Sequence, residues 1–287
     1  MIAGMLDPTG LSTRERIARI GALAIIAAMA IANVIWTLQT WPMGDIQIYW
    51  EAGGRIRDGE PLYPGTSPYT SYRYAPWFAW LWAGFTYLPY DLVAAVWQAT
   101  LLVATALVAI PFVRRGLLGL AFAGLMIPLL FAVSAGGNVQ ALLVASLLFG
   151  IDRRSGPLWI AIAASLRATP FLFVAVYAAR REWGRFWATI GLTAVLVAPM
   201  LLYQPETLLT DVAGREPGLL AVSPVLWLGI AAVTLAVLVV MAWRRSRYIT
   251  LAAAAAAIIA SPKLFGYDLT TFLAVHPDRG QKGVNAP

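Results

Sequence analysis

An all-α bundle of membrane-spanning helices is the fold class this chain predicts, on three observations. Its 287 residues are 60% hydrophobic and only 12% charged, a balance far from that of soluble domains. Several windows stay apolar over the roughly 20 residues that a helix needs to cross a hydrocarbon core of about 30 Å. Arginine clusters punctuate those windows: Arg14/Arg16/Arg19, Arg114/Arg115, Arg153/Arg154, Arg180/Arg181/Arg185 and Arg244/Arg245/Arg247. Short basic clusters beside spans mark cytoplasmic ends. The net charge of +7 is therefore an orientation signal, and no nucleic-acid partner is expected. The chain reads as a multi-pass protein of the cell (inner or plasma) membrane, with its N-terminus cytoplasmic.

The elements follow in order. Residues 17–39, "IARIGALAIIAAMAIANVIWTLQ", form the first span. They read as an uncleaved anchor, because the apolar stretch outruns a signal-peptide core and further spans follow. Residue 40 onward is then external. In residues 43–65, "MGDIQIYWEAGGRIRDGEPLYPG", four of the chain's 14 carboxylates gather: Asp45, Glu51, Asp58 and Glu60. Asp45 opens a short helix on which Tyr49 falls one turn later, and Gly59 ends it. The aromatic stretch "YTSYRYAPW" (69–77) leads to "WFAWLWAGFTYL" (77–88), about 18 Å of helix, which dips into the membrane or lies flat on it. Together these make a lid-like external surface.

Spans at 92–113 and 116–135 and a short one at 138–151 follow, the last two joined by "GGN". Residues 157–179, "PLWIAIAASLRATPFLFVAVYAA", have arginine clusters on both sides. A single crossing would break the charge rule, so the segment reads as a re-entrant helical hairpin with its tip at "RATP", where Pro170 disfavours helix at Thr169. Spans at 186–203, 224–243 and 248–261 and a partial one at 264–275 complete about seven to eight full crossings. Residues 1–275 form one membrane domain with an external catalytic loop at 40–76, and residues 276–287 a polar tail.

Composition also excludes chemistry. There is no cysteine, so thiolate catalysis, disulfides and Cys-metal sites are ruled out. The lone histidine, His276, sits in the tail and supports neither a triad nor a multi-His site. No nucleotide-binding loop occurs. No cofactor is required, and any metal would be a hard ion on oxygen ligands.

The candidate chemistry lies in polar residues beside apolar segments. Asp45 is a carboxylate at the outer interface, where ionisation costs less than at midplane; a solvated loop acid or helix cap is the plainer reading. Arg167 sits inside an apolar segment, where function is the default and snorkelling the alternative; its fork suits phosphate. Arg73 and Lys263 are the other external cations. Asn138 and Gln140 can hydrogen-bond sugar hydroxyls or cap a helix. Tyr267 and Asp268 close the set, Asp268 as a second carboxylate or as the partner of Lys263. Tyr49 and Tyr74 supply the aromatic, hydroxyl-bearing faces that sugars favour. Trp41, Trp50, Trp77 and Trp80 read as interface anchors.

The run Asp45-x3-Tyr49, "GEPLY" (59–63), "YRYAPW" (72–77), "GNVQALL" (137–143), "SLRATPFLF" (165–173) and "SPKLFGYDL" (261–269) resembles glycosyltransferase family 87, multi-spanning enzymes of the GT-C fold similar to polyprenyl-phosphomannose-dependent mannosyltransferases. The resemblance is spread over residues 40 to 270. It implies hexosyl transfer, mannose first, from a polyprenyl-phosphate donor to a glycolipid or glycan acceptor on the outer face, with Asp45 as general base. Two rival readings remain. Broken helices and an intramembrane arginine also suit a secondary transporter, although no repeated halves are visible. The chain is short for the family and its last span is cut to about twelve residues, as an inactive or truncated relative would be.

Overall fold

The computed structural model describes residues 13–40, 44–63, 72–203, 219–262 and 264–275. They are predominantly helical, with no strand among them. Five helical segments are long and apolar enough to cross a membrane: Thr13–Thr40, Tyr90–Val113, Gly116–Ala135, Trp183–Tyr203 and Pro224–Trp243. Their large apolar side chains stay exposed, as at Ile17, Val96, Leu118, Trp187 and Val225, and surface of that kind needs lipid around it. The chain is a multi-pass membrane protein.

In chain order the elements are α1 Thr13–Thr40, α2 Gly44–Asp58, α3 Pro76–Phe85, α4 Tyr90–Val113, α5 Gly116–Ala135, α6 Gln140–Gly150 and α7 Gly156–Leu166. A 3-10 turn, Thr169–Phe173, leads into α8 Val174–Ala179, followed by α9 Trp183–Val197, α10 Pro199–Tyr203, α11 Leu219–Val222, α12 Pro224–Trp243, α13 Ile249–Ile259 and a second 3-10 helix, Gly266–Ala274. The starts and stops are locally encoded. Proline opens α3, α7 and α12 in the first turn, where its missing N–H costs nothing, and Ser223 Oγ caps α12 by accepting from the Leu226 N–H at 3.3 Å. Beyond the ends of α8 and α12, Arg181 and Arg245 take left-handed backbone. Their following N–H groups return to Tyr177 O and Met241 O, the closure that usually recruits glycine.

Neighbouring contacts fix direction. Gly116 faces Arg19, Gly124 faces Ile26 and Gly136 faces Thr37, so α1 and α5 run parallel. Phe112 meets Phe122 at 5.5 Å and Thr105 bonds Ser134 at 2.8 Å, so α4 runs antiparallel to α5. Arg19 and Arg115 therefore share one end of the bundle, while Asp45 and the 136–140 turn share the other.

The expected hairpin is present. α7 ends at Leu166, and Arg167 is extended (φ −152°, ψ 125°). The two ends of the 156–179 segment meet at the base: Tyr177 Oη donates to Ile151 O at 2.8 Å, Arg180 pairs with Asp152 at 2.8 Å, and Arg185 reaches the carbonyls of Ile151 and Arg153. The tip reaches the Asp45 end, where Ala75 N–H donates to Ser165 O at 3.3 Å and Trp77 Nε1 to Ser165 Oγ at 3.0 Å. The short crossings expected at 138–151 and 248–261 are helices of 11 residues each, about 16 Å long, well below the thickness of a bilayer core.

The segment expected to form a lid is more deeply integrated than that. Ile46, Tyr49, Ala52, Leu62, Tyr63 and Tyr72 are buried members of the main core together with Phe78 and Trp82. The α2 and α3 helices lie so close at Gly53 that a Cβ there would meet the Trp82 carbonyl carbon at 2.6 Å. Tyr49 is fully buried and meets Phe78 at 5.0 Å, Tyr74 at 5.1 Å and Trp82 at 5.4 Å. Such aromatic pairs contribute about 0.5–1.5 kcal/mol each beyond area burial. The segment 77–88, left between dipping and lying flat, packs along α2 as α3.

Candidate functional site

The site starts from the way α2 begins. Gly44 and Gly137 both have positive φ, 48° and 82°, and each stands where a Cβ would collide, Gly44 with the Gly136 carbonyl and Gly137 with the Ile46 side chain. At Gly44 two backbones thus touch directly, and at Gly137 the Ile46 side chain takes the place of a Cβ. The Asp45 N–H donates to Gly136 O at 2.8 Å. Two α4 side chains brace the same turn, Trp97 Nε1 donating to Gly137 O at 2.9 Å and Gln98 Nε2 to Ala135 O at 2.7 Å. Gly137→Ala combines strained backbone with overpacking, so it is expected to destabilise the protein by about 2 kcal/mol or more, read as a lowered unfolding midpoint in nanodiscs.

This interlock aims the Asp45 side chain. Asn138 Nδ2 donates to Asp45 Oδ2 at 2.6 Å, and Tyr49 Oη lies 3.4 Å from the same oxygen. Tyr49 also donates to Tyr74 Oη at 3.0 Å. A phenol has one proton, so the shorter bond takes it and leaves the Tyr74 hydroxyl to donate to Asp45. Burial pushes the Asp45 carboxyl above the usual carboxylate range, and hydrogen bonding, from Asn138 first and then from the tyrosine pair, pulls it part of the way back. Burial pushes the Tyr49 and Tyr74 phenols well up, so both remain proton donors.

A second group continues from the same turn. The Gln140 N–H donates to Asn138 Oδ1 at 2.9 Å, and Gln140 Nε2 reaches Thr270 Oγ1 and Thr271 Oγ1 at 3.2 and 3.3 Å. Arg167 lies 3.5 Å from Gln140 Oε1 and pairs with Asp268 Oδ1 at 2.6 Å. Its guanidinium also stands 5.6 Å from the centre of the Tyr267 ring, which stacks on Phe265 at 5.3 Å. Asp268 Oδ2 accepts from the Phe265 N–H at 2.9 Å. Asp268 is nearly inaccessible, whereas a quarter of the Arg167 side chain is exposed; the guanidinium carries five N–H donors, and Gln140 and Asp268 both engage Nη1.

Of the residues singled out from sequence, Asp45, Tyr49, Tyr74, Asn138, Gln140, Arg167, Tyr267 and Asp268 thus form one connected network. The Tyr49 ring is buried, so only its hydroxyl meets the network, through Asp45 and Tyr74. Asp268 is held by Arg167; Lys263, the partner considered from sequence, lies outside the described residues, as do Trp41 and His276. Arg73 is partly buried beside Tyr74 in the chain and is itself engaged by a partner. Trp77 bonds Ser165 and Trp80 bonds Tyr203, and only Trp80 is exposed. Glu51 is held on α2 by Gln47 and Arg55.

Sequence reasoning passed over Thr270, Thr271, Trp97 and Gln98. The polar pair Trp97-Gln98 inside an apolar span was the available signal. Clefts of about 290 and 390 Å³ open at the arginine-rich end, beside Arg19 and Arg115 and beside Asp152 and Arg185, and include no member of this network. Among the described residues no three His, Cys, Asp or Glu side chains converge as metal ligands would. No protein-family model, curated protein or solved structure matches the chain.

Proposed function

We propose that the protein is a membrane hexosyltransferase with a GT-C-like arrangement of seven to eight crossings, transferring a sugar from a polyprenyl-phosphate donor to a glycolipid or glycan acceptor on the outer face. One observation carries the reading: a half-buried carboxylate and a partly exposed arginine are held by the same short turn, Asp45 through Asn138 and Arg167 through Gln140. Glycosyl transfer from a lipid phosphate needs those two groups. Asp45 accepts the proton of the acceptor hydroxyl as its oxygen bonds to the anomeric carbon. The bond from that carbon to the phosphate oxygen breaks, and the phosphate leaves with the electron pair. Arg167 offers guanidinium N–H donors to that departing charge. Asp268 holds Arg167 in place and offsets the cost of placing a cation in an apolar hairpin.

Burial supports the role of Asp45, since a carboxyl raised above its ordinary range is a stronger base once ionised. We read the network as lying on the outer side, because Arg19 and Arg115, basic clusters of the kind that the charge rule assigns to the cytoplasm, stand at the other end of α1 and α5. The test is transfer of label from polyprenyl-phosphate [14C]mannose to extracted envelope glycolipid in proteoliposomes. Labelled glycolipid is expected. Uptake of free solute without label transfer would sink the proposal and favour a transporter.

A further inference from the structure

The residue that sets the direction of the Asp45 carboxylate is not on its own helix. Asn138 is partly buried at the mouth of α6, 93 positions away in the chain, and both ends of its amide are engaged. Its Oδ1 accepts the Gln140 N–H at 2.9 Å, and its Nδ2 donates to Asp45 Oδ2 at 2.6 Å. The first bond decides the second. A backbone N–H can only donate, so it fixes the oxygen of the amide on the Gln140 side and turns the NH2 toward the carboxylate. An amide flip would place two acceptors face to face. The turn itself cannot slide, because Gly44 and Gly136, and Gly137 and Ile46, touch backbone to backbone or backbone to side chain, and the Asp45 N–H is tied to Gly136 O.

We infer that the 136–140 turn is the positioning element of the site and that Asn138 is the positioning residue of Asp45, presenting one carboxylate oxygen to the acceptor by holding the other. The catalytic consequence rests on the transferase reading above, whereas the hydrogen-bond relation does not. The other titratable groups around Asp45 are Tyr49 on α2, Tyr74 before α3, and Tyr267 on the last 3-10 helix; Arg167 acts on Tyr74 and is already committed to Asp268. Asn138 supplies the shortest bond in this set. Because it donates to the charged form, its loss moves the carboxyl up.

The experiment is a pH titration of the Asp45 carboxyl by infrared difference spectroscopy on the full-length protein in nanodiscs, with the band assigned by its disappearance in Asp45→Asn. Asn138→Ala is expected to raise the midpoint by about half a pH unit or more. Asn138→Asp, which sets a second carboxylate against the first, is expected to raise it by about one unit or more. Should Asn138→Asp fail to fold, Asn138→Ser gives the same reading with a weaker shift. Midpoints that coincide with wild type in folded variants overturn the inference.

The acid limb of the pH–rate profile for transfer should move the same way in the variants. The two ideas fail separately. A shifted midpoint in a protein that transfers no sugar upholds the role of Asn138 and removes the transferase reading. An unshifted midpoint in an active enzyme overturns the role of Asn138.

Discussion

Asp45→Asn is expected to reduce sugar transfer by about 10² to 10⁴, the usual worth of a positioned general base, while leaving the protein at least as stable as wild type. The second half follows from sign. Burial raises the folded-state pKa of Asp45 above its unfolded value. The folded state then binds a proton that the unfolded chain has released, and stability falls as pH rises from the unfolded value through the folded one. At neutral pH the full cost is present, and the amide removes it. Asn at this position also retains an oxygen to accept from Asn138. Unfolding midpoints in nanodiscs at neutral and acidic pH should therefore show the largest advantage of the variant at neutral pH, and none below the ordinary carboxylate range. Catalysis runs the opposite way, since the base works only when ionised, so transfer in wild type should climb as pH rises through the same folded value. A variant that transfers sugar at the wild-type rate would remove Asp45 from the mechanism.

Arg167 and Asp268 give the second large effect. Asp268 is 3% exposed at its side chain and Arg167 25%. Removing the cation in Arg167→Met leaves a carboxylate in an apolar setting without its partner. The expected cost is about 2–3 kcal/mol, toward the low end for buried pairs because the guanidinium keeps some water contact. Removing both charges, Arg167→Met with Asp268→Leu, is expected to recover most of that stability and none of the transfer. The two variants together separate folding from chemistry. Arg167→Lys keeps the charge but replaces the planar fork with a point charge, so it should fold normally and lose about 10² in transfer rate, comparable to loss of one oriented donor. Wild-type transfer by the Lys variant would show that the forked edge of Arg167 does not hold the phosphate.

Much of this architecture is legible in the chain because the forces that set it are local and strong. The spans expected at 116–135 and 224–243 are found at Gly116–Ala135 and Pro224–Trp243, since unbroken apolar runs can satisfy their backbone only as helices. The break at "RATP" is legible too, but not at the residue expected: Pro170 was expected to exclude helix at Thr169, whereas the chain is extended at Arg167 and Thr169 opens a 3-10 turn with Pro170 in its first turn. Length was harder to read. The segments at 138–151 and 248–261 have the composition of spans but fold as 11-residue helices, because the polar turns flanking them are held by tertiary bonds such as Gln140 to Thr270 and Thr271. The segment 43–77 reads as a lid because its tyrosines look like a binding surface in one dimension. In three, Tyr49 buries its ring against Phe78 and Trp82, and Tyr72 against Tyr63 and Tyr74.

Composition and periodicity by themselves determined that the chain lies in a membrane, that basic clusters punctuate its apolar runs, and that the segment 157–179 breaks near "RATP". Those properties follow from the cost of placing charge and unpaired backbone in lipid, which every residue meets separately. Only the tertiary structure decided that Asn138 faces Asp45 and that Asp268 faces Arg167, across 93 and 101 positions of chain respectively. Hydrogen-bond partners of this kind are set by where helices cross, and the crossing here depends on two glycines letting one backbone rest against another.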